Sequence, residues 1–180
     1  RRDVIRNSGK RPFAIHRALP RLTFSCGDYE LYCQRSRWGH ENQGEWLPLH
    51  AGSIELSSKW GRSTEGSTPY CCLRPRDGAR GVVVHVVPRG NWMIRVAARS
   101  TANKLPYAVV EAGLSDEDLR IELKAGEEFI LPEILLQALP AGDPRLAAPH
   151  LHDFLNNRLP APRLPAPVVY NNWLDRLDDI

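Results

Sequence analysis

Side chains that could do chemistry are few in this 180-residue chain, and most stand at unhelpful spacings. The four cysteines are Cys26, Cys33 and the adjacent Cys71 and Cys72. No Cys-x-x-Cys pair occurs, and no histidine stands at zinc spacing from a cysteine, so neither a metal nor another cofactor is expected. With Gly27-Asp28 as a hairpin turn, Cys33 would face the region of Leu22 rather than Cys26. The thiols therefore read as free and partly buried, as in a reducing cytosol. His150 and His152 are two residues apart and on a helix would face away from each other, so they cannot share a metal. His85, inside Val82–Val87, reads as a satisfied strand histidine. Asp175, Asp178 and Asp179 cluster near the end of the chain, but an acid/base pair needs rigid support, and these read as solvated charges. No residue of this sequence is assigned catalysis.

The aromatic residues carry the remaining interest. Trp92 falls on an alternating strand with Ile94, Val96 and Ala98 on its face and Arg95 and Arg99 on the other, which makes it a core residue. Taken alone, Trp38 in Trp38-Gly39-His40-Glu41 also reads as a core or hairpin residue. Trp60-Gly61-Arg62-Ser63-Thr64 has turn composition, and Arg62 with Ser63 could tie loops together. The basic residues Arg74, Arg76 and Arg80 read as a solvated loop.

The elements that must position these groups are mainly strands. Val4–Arg6, Phe13–Ala18, Leu22–Ser25, Tyr29–Arg35, Trp46–His50 and Ile54–Ser57 are short runs separated by turn residues. The clearest hairpin joins Val82–Val87 to Trp92–Ala98 across Pro88-Arg89-Gly90. Tyr107–Glu111, Leu119–Leu123, Phe129–Leu131 and Ile134–Leu136 follow, and roughly ten such strands describe an antiparallel sandwich. The pattern changes once. Asp143-Pro144 signals a helix start, and Leu151, Phe154, Leu155 and Leu159 repeat at helical spacing, leaving His152, Asn156 and Asn157 towards water. Residues 160–167 hold four prolines in eight positions, a stiff extended connector. Val168-Val169-Tyr170, an apolar trio without alternation, suits a strand buried on both faces of a parallel sheet. A parallel strand cannot stand alone, and the amino end also starts inside a strand. The chain is thus expected to be a truncated piece of something larger.

Composition narrows the function classes. The chain is 42% hydrophobic and 25% charged, which fits a folded domain and neither disorder nor a membrane protein. No apolar run approaches the roughly eighteen residues of a membrane span, and no apolar segment follows the amino-terminal arginines as a signal peptide would require. A balance of 24 Lys+Arg against 21 Asp+Glu is too even for nucleic acid to be the main partner.

Five segments in order carry a resemblance. They are Trp38-Gly39-His40-Glu41; Trp60-Gly61-Arg62-Ser63-Thr64 leading to Pro69-Tyr70; Gly90-Asn91-Trp92; Leu123-Lys124-Ala125-Gly126-Glu127-Glu128-Phe129 with Pro132-Glu133; and Pro167 through Trp173. Across nearly the whole chain the sequence resembles bacterial α-galactosidases of glycoside hydrolase family 36. The resemblance implies an antiparallel β-supersandwich (galactose mutarotase-like) over 1–140. A linker helix and Pro-rich connector would cover 141–166, and the first strand of a (β/α)8 barrel 167–180. It further implies a cytoplasmic bacterial enzyme, a homo-oligomer, that hydrolyses terminal α-galactosides of the melibiose and raffinose type with retention. Its two catalytic aspartates would lie on later barrel strands, so the 180-residue chain alone is expected to be inactive.

The same resemblance singles out three substrate-binding candidates, Trp38, Trp173 and Asn172. In the family, a Trp-x-x-Glu loop on the sandwich reaches the active site of a neighbouring subunit, and Trp38 with Glu41 matches it. An indole covering about 50 Å² of a galactose face contributes on the order of 1 kcal/mol. Asn172 and Trp173 would stand at the carboxyl end of the first barrel strand, where barrel active sites assemble. Here Leu174 replaces the acidic residue that usually follows that Trp, and Glu65-Gly66-Ser67-Thr68 replaces the Ser-His and Asn-Pro-Phe that usually follow the second segment. The rival expectation is a non-catalytic β-sandwich that binds carbohydrate or promotes oligomerisation.

Overall fold

The structure, a computed structural model, describes residues 1–158 apart from Ser63, Asp77 and Ala79. From the amino end, β1 (Val4–Arg6), β2 (Phe13–Ile15), β3 (Arg21–Cys26), β4 (Tyr29–Arg37), β5 (His40–Pro48) and β6 (Gly52–Ser58) come first. β7 (Gly66–Pro75), β8 (Gly81–Val86), β9 (Trp92–Ser100) and β10 (Pro106–Leu114) make up the middle. After β11 (Ile121–Leu123), β12 (Glu128–Ile130) and β13 (Ile134–Leu139), a 3-10 turn at Pro140–Gly142 leads into α1 (Pro144–Asn156). Among the described residues, β13-β8-β7-β4-β5 form one antiparallel sheet and β3-β10-β9-β6 a second, with two small ribbons, β1-β12 and β2-β11. The expected mainly β, antiparallel sandwich is present. The connector and the barrel strand expected over 160–180 lie outside the described residues.

One apolar layer joins the two large sheets. Alternate residues of β4 (Leu31, Cys33), β7 (Cys71, Leu73) and β8 (Val84, Val86) meet Leu56 of β6, Trp92, Ile94 and Val96 of β9, and Ala108, Val110 and Ala112 of β10. All are buried, and each large side chain here contributes roughly 1.5–3 kcal/mol by leaving water. The ribbons close a separate small cluster around Ile15, Leu123 and Leu131.

That layer overturns two hairpins read from the sequence. β8 and β9 do not pair. β8 pairs with β7 and β13, β9 with β6 and β10, so residues 87–91 pass from one sheet to the other. Both strands thereby present apolar faces to the same core from opposite sides, and β9 gains a nine-position ladder with β10. Gly27-Asp28 likewise turns the chain between sheets, because β3 pairs with β10 and β4 with β5 and β7. Cys33 consequently faces Cys71 across the ladder, not Leu22. All four thiols are free.

A third correction concerns residues 66–75, which the patterning leaves without a strand and the structure makes β7, paired on both sides. The register slips between Cys33↔Cys71 and Arg35↔Ser67, so that Thr68, Pro69 and Tyr70 share one irregularity opposite Gln34. A proline has no N–H to give the ladder, and a bulge is where a sheet tolerates one. Arg74, expected in a solvated loop, is therefore a strand residue.

Helix α1 starts as expected. The Asp143 carboxylate accepts from the Arg145 N–H at 2.9 Å, and Pro144 occupies the first turn. Pro149 sits inside the helix without ending it. The expected inward stripe does not form: Ala147 is the buried contact, Leu151 is half-buried, and Phe154 and Leu155 are exposed. The small Ala147 lets the helix settle on Cys72, Val83 and Leu139 of the outer sheet face, and the larger apolar residues fall to the side.

Beside that contact His85 stacks on Tyr70, ring centroids 4.9 Å apart. Burial lowers its pKa from 6.5 to about 4. The unfolded chain then binds the proton more readily than the native one, so stability is fully present above about 6.5 and is lost as pH falls towards about 4. Replacing His85 by Phe keeps a stacking ring and removes the titration. Denaturant melts of this variant should lack a loss on the order of 3 kcal/mol between those two pH values; an unchanged slope would assign the acid sensitivity elsewhere.

Candidate functional site

The β4–β5 hairpin projects from one end of the larger sheet and carries the sequence Arg37-Trp38-Gly39-His40 at its tip, closed by an Arg37↔His40 pair. A register shift between Arg35 and Arg37 bends the strand just before the turn. Gly39 holds φ 72°, a left-handed conformation that a side chain would strain. Its N–H donates to Oε1 of Glu41 at 3.0 Å, and Gln43 Nε2 donates to the Glu41 carbonyl at 3.1 Å. Glu41 thus folds back on the turn, and the Trp-x-x-Glu spacing has a mechanical role: the acid braces the loop that presents the indole. Trp38 is 72% exposed. A braced, solvent-facing indole can lie against the C–H face of a sugar.

The base of this hairpin is held on the outer face of the sheet. Tyr32 of β4 meets Trp46 of β5 with centroids 5.4 Å apart, and Tyr70 of β7 lies 6.5 Å from Tyr32. The Arg74 guanidinium caps the Trp46 ring at 3.7 Å, pairs with Glu30 at 3.0 Å, and donates to the Gly142 carbonyl at 3.0 Å. One cation thereby ties β7, β4, β5 and the turn before α1 together. Farther out, Tyr32 lies over Gly44, where a Cβ would stand 2.0 Å from the phenol oxygen. Arg35 and Glu45 bridge the two strands at 2.9 Å.

The described residues offer little else for covalent chemistry. Burial pushes the thiols of Cys33 and Cys71 up, and that of Cys72 up to about 12, so none is a ready nucleophile. Glu55 and Glu111 flank Arg95 across β6, β9 and β10. Both carboxylates lie against the one Arg95 guanidinium, Glu55 at 3.1 Å and Glu111 at 3.7 Å. A cation shared between them stabilises both charges, which suits neither to the acid half of a retaining pair. The Arg21 guanidinium, donating to Glu111 at 2.6 Å, also holds that carboxyl below the usual range, which unsuits it as a proton donor. Among the described residues no group of three or more His, Cys, Asp and Glu is placed to hold a metal ion. Likewise, among them no helix is long and apolar enough to cross a membrane.

Of the three candidate sugar contacts, the structure therefore places Trp38 alone; Asn172 and Trp173 lie outside the described residues. Sequence reasoning missed Arg74 and Trp46, whose partnership depends on β7 being a strand. Trp60, read as part of a turn, does lie in the loop between β6 and β7, with its ring exposed.

No protein-family profile matches the chain, and no curated protein does. Solved structures do. The galactosidase domain of the α-galactosidase–sucrose kinase AgaSK aligns with a TM-score of 0.67 and 24% identity over 75% of this chain and 19% of its own. The family 36 α-galactosidase AgaA from Geobacillus stearothermophilus, as a variant in complex with stachyose, gives the same values. The α-galactosidase from Lactobacillus brevis gives a TM-score of 0.68 and 19% identity over 77% of this chain and 19% of its own. The chain spans about a fifth of the length of the structures it matches. At these identities the likeness establishes the fold, a β-sandwich that recurs within family 36 α-galactosidases.

Two substitutions separate bracing from display. Gly44→Ala forces a methyl into the Tyr32 hydroxyl and should destabilise the chain by about 1–3 kcal/mol in a urea melt. Trp38→Ala, at an exposed tip, should shift the same melt by less than about 0.5 kcal/mol. A large loss from Trp38→Ala would make that ring a packing residue.

Proposed function

We propose that this chain is the amino-terminal β-supersandwich of a retaining α-galactosidase of glycoside hydrolase family 36. In this reading a (β/α)8 barrel begins at 167–180 and continues beyond. The observation that carries the proposal is the likeness of the described fold to family 36 α-galactosidases over three quarters of the chain, together with a Trp-x-x-Glu tip whose indole is exposed and whose carboxylate braces the turn. The parent enzyme acts on terminal α-galactosides such as melibiose and raffinose. Its free thiols suit a reducing bacterial cytoplasm.

Within that enzyme the chain's own residues bind and orient; they do not transfer the proton. Trp38 covers the apolar face of a galactosyl unit in the active site of a neighbouring subunit, so the enzyme works as a homo-oligomer. Asn172 and Trp173 line the pocket from the first barrel strand. The carboxyl pair, one attacking the anomeric carbon and the other protonating the leaving oxygen, comes from barrel strands outside these 180 residues. The exposed Leu136, Phe154 and Leu155 supply an apolar border against which the barrel packs.

The purified 180-residue chain should not release p-nitrophenol from its α-galactoside, and the parent enzyme carrying the barrel should. Turnover by the chain itself, free of host enzyme, would sink the assignment. In the parent, Trp38→Ala should raise KM about tenfold with kcat nearly unchanged. Identical kinetics would remove Trp38 from the sugar site.

A further inference from the structure

Helix α1 leaves a groove along one edge of the larger sheet. β13 ends the strand order there, with β8 on one side of it. At its start Ile134 exchanges two main-chain bonds with Arg1: the Arg1 nitrogen donates to the Ile134 carbonyl at 2.6 Å, and the Ile134 N–H donates to the Arg1 carbonyl at 2.9 Å. Backbone groups repeat their direction every second residue of a strand, so those of Leu136 and Ala138 point outwards as well. Among the described residues no strand meets them. Beside this edge lies a cavity of about 420 Å³, walled by Leu135 and Leu136 of β13 and by Leu151 and Phe154 of α1, with Arg1 and Glu133 at one end. Leu136 is 49% exposed and Phe154 44%. An open strand edge flanked by apolar side chains recruits other strands unless something covers it.

The chain itself is delivered to this groove. Gln137 Nε2 donates to the Ala147 carbonyl at 2.6 Å near the start of α1, and Arg158, just past its end, pairs with Glu133 at 2.9 Å with its guanidinium 5.1 Å from the centre of the Phe154 ring. α1 therefore runs antiparallel to β13 and ends at the mouth of the groove, where residues 159–167 come next. Those nine residues are Leu-Pro-Ala-Pro-Arg-Leu-Pro-Ala-Pro. In the three-residue period that such prolines favour, Leu159, Pro162 and Pro165 share one edge, and Ala161, Leu164 and Pro167 a second. Arg163 stands on the third with Pro160 and Ala166. Two apolar edges call for cover and one charge for water. The lengths agree, since the six residues of β13 span about 17 Å and nine residues at the polyproline rise about 25 Å. Proline also suits an edge: its carbonyl can accept from an outward N–H, and it has no N–H of its own with which to recruit a further strand.

We propose that residues 159–167 fold back over the open edge of β13 and seat Leu159 and Leu164 in the groove between β13 and α1, leaving Arg163 in water. In the parent enzyme the connector is then the layer between this apolar border and the barrel. The proposal stands on the fold and holds whichever reaction the parent catalyses. Amide hydrogen exchange on the 180-residue chain, followed by NMR, tests it, with sedimentation at two concentrations alongside. The Leu136 and Ala138 amides should be protected in a monomeric chain. Leu159→Asp combined with Leu164→Asp should speed their exchange at least about tenfold and leave Ile94 and Val96 of the central core unchanged. Leu159→Met with Leu164→Met, which keeps the apolar volume, should retain the protection, and Phe154→Asp should remove it from the groove side. Amides already open in the intact chain, or protection that survives the two aspartates, would overturn the proposal. Protection that disappears on dilution, together with a dimer in sedimentation, would assign the groove to a second copy and overturn it equally. No readout involves a galactoside, so failure here and failure of the α-galactosidase reading are separate results.

Discussion

A single apolar layer, shared by two sheets, dictates the rest of this molecule. Strand faces alternate every residue, so each strand that crosses the layer must aim its Leu, Val, Ile or Trp inward and its polar residues outward. Trp92, Leu31, Leu56 and Ile94 sit at its centre, fully buried. Once their directions are set, the connections have no freedom. Residues 27–28 and 87–91 must carry the chain between sheets, and β4, β5, β6 and β7 must send their loops out of one end. The exposure of Trp38 and Trp60 follows from this. Both indoles lie just beyond the last residue that the layer can hold.

The outer face of the larger sheet solves a different problem. Tyr32, Trp46 and Tyr70 would leave a broad aromatic surface in water, and three devices cover it. Arg74 lies over Trp46 with its charge met by Glu30, Gly44 admits the Tyr32 ring, and α1 places Ala147 against Cys72 and Val83. The hairpin that ends in Trp38 is stiff because its root is clamped here. Display at the tip and packing at the root are two ends of one strand pair.

Much of the fold was legible beforehand because it is local. β4, β9 and β10 announce themselves by alternation, and α1 by Asp143-Pro144, since such signals depend on a residue and its near neighbours. β7 was not legible: Gly66 and Pro69 are turn residues by type, and the bulge that accommodates Pro69 exists only opposite Gln34. Partner choice was hidden for the same reason. Val82–Val86 and Trp92–Val96 look like one hairpin until β13 and β10 compete for them with longer ladders. Of the site, the Trp-x-x-Glu spacing was visible, but the fold-back of Glu41 onto the Gly39 N–H, the cap of Arg74 on Trp46 and the exposure of Trp60 were not.

Composition, alternation and turn residues by themselves determined an antiparallel β protein with one late helix and free thiols, and the Trp-x-x-Glu motif added a resemblance to a family 36 loop. These properties reside in short windows, where a few residues set backbone preference and face. Only tertiary structure decided which strand pairs with which, that Arg74 is a clamp rather than a solvated charge, and that Trp38 and Trp60 are exposed. Those outcomes depend on contacts between segments far apart in the chain, where the gain is burial of a common surface and no local pattern records the partner.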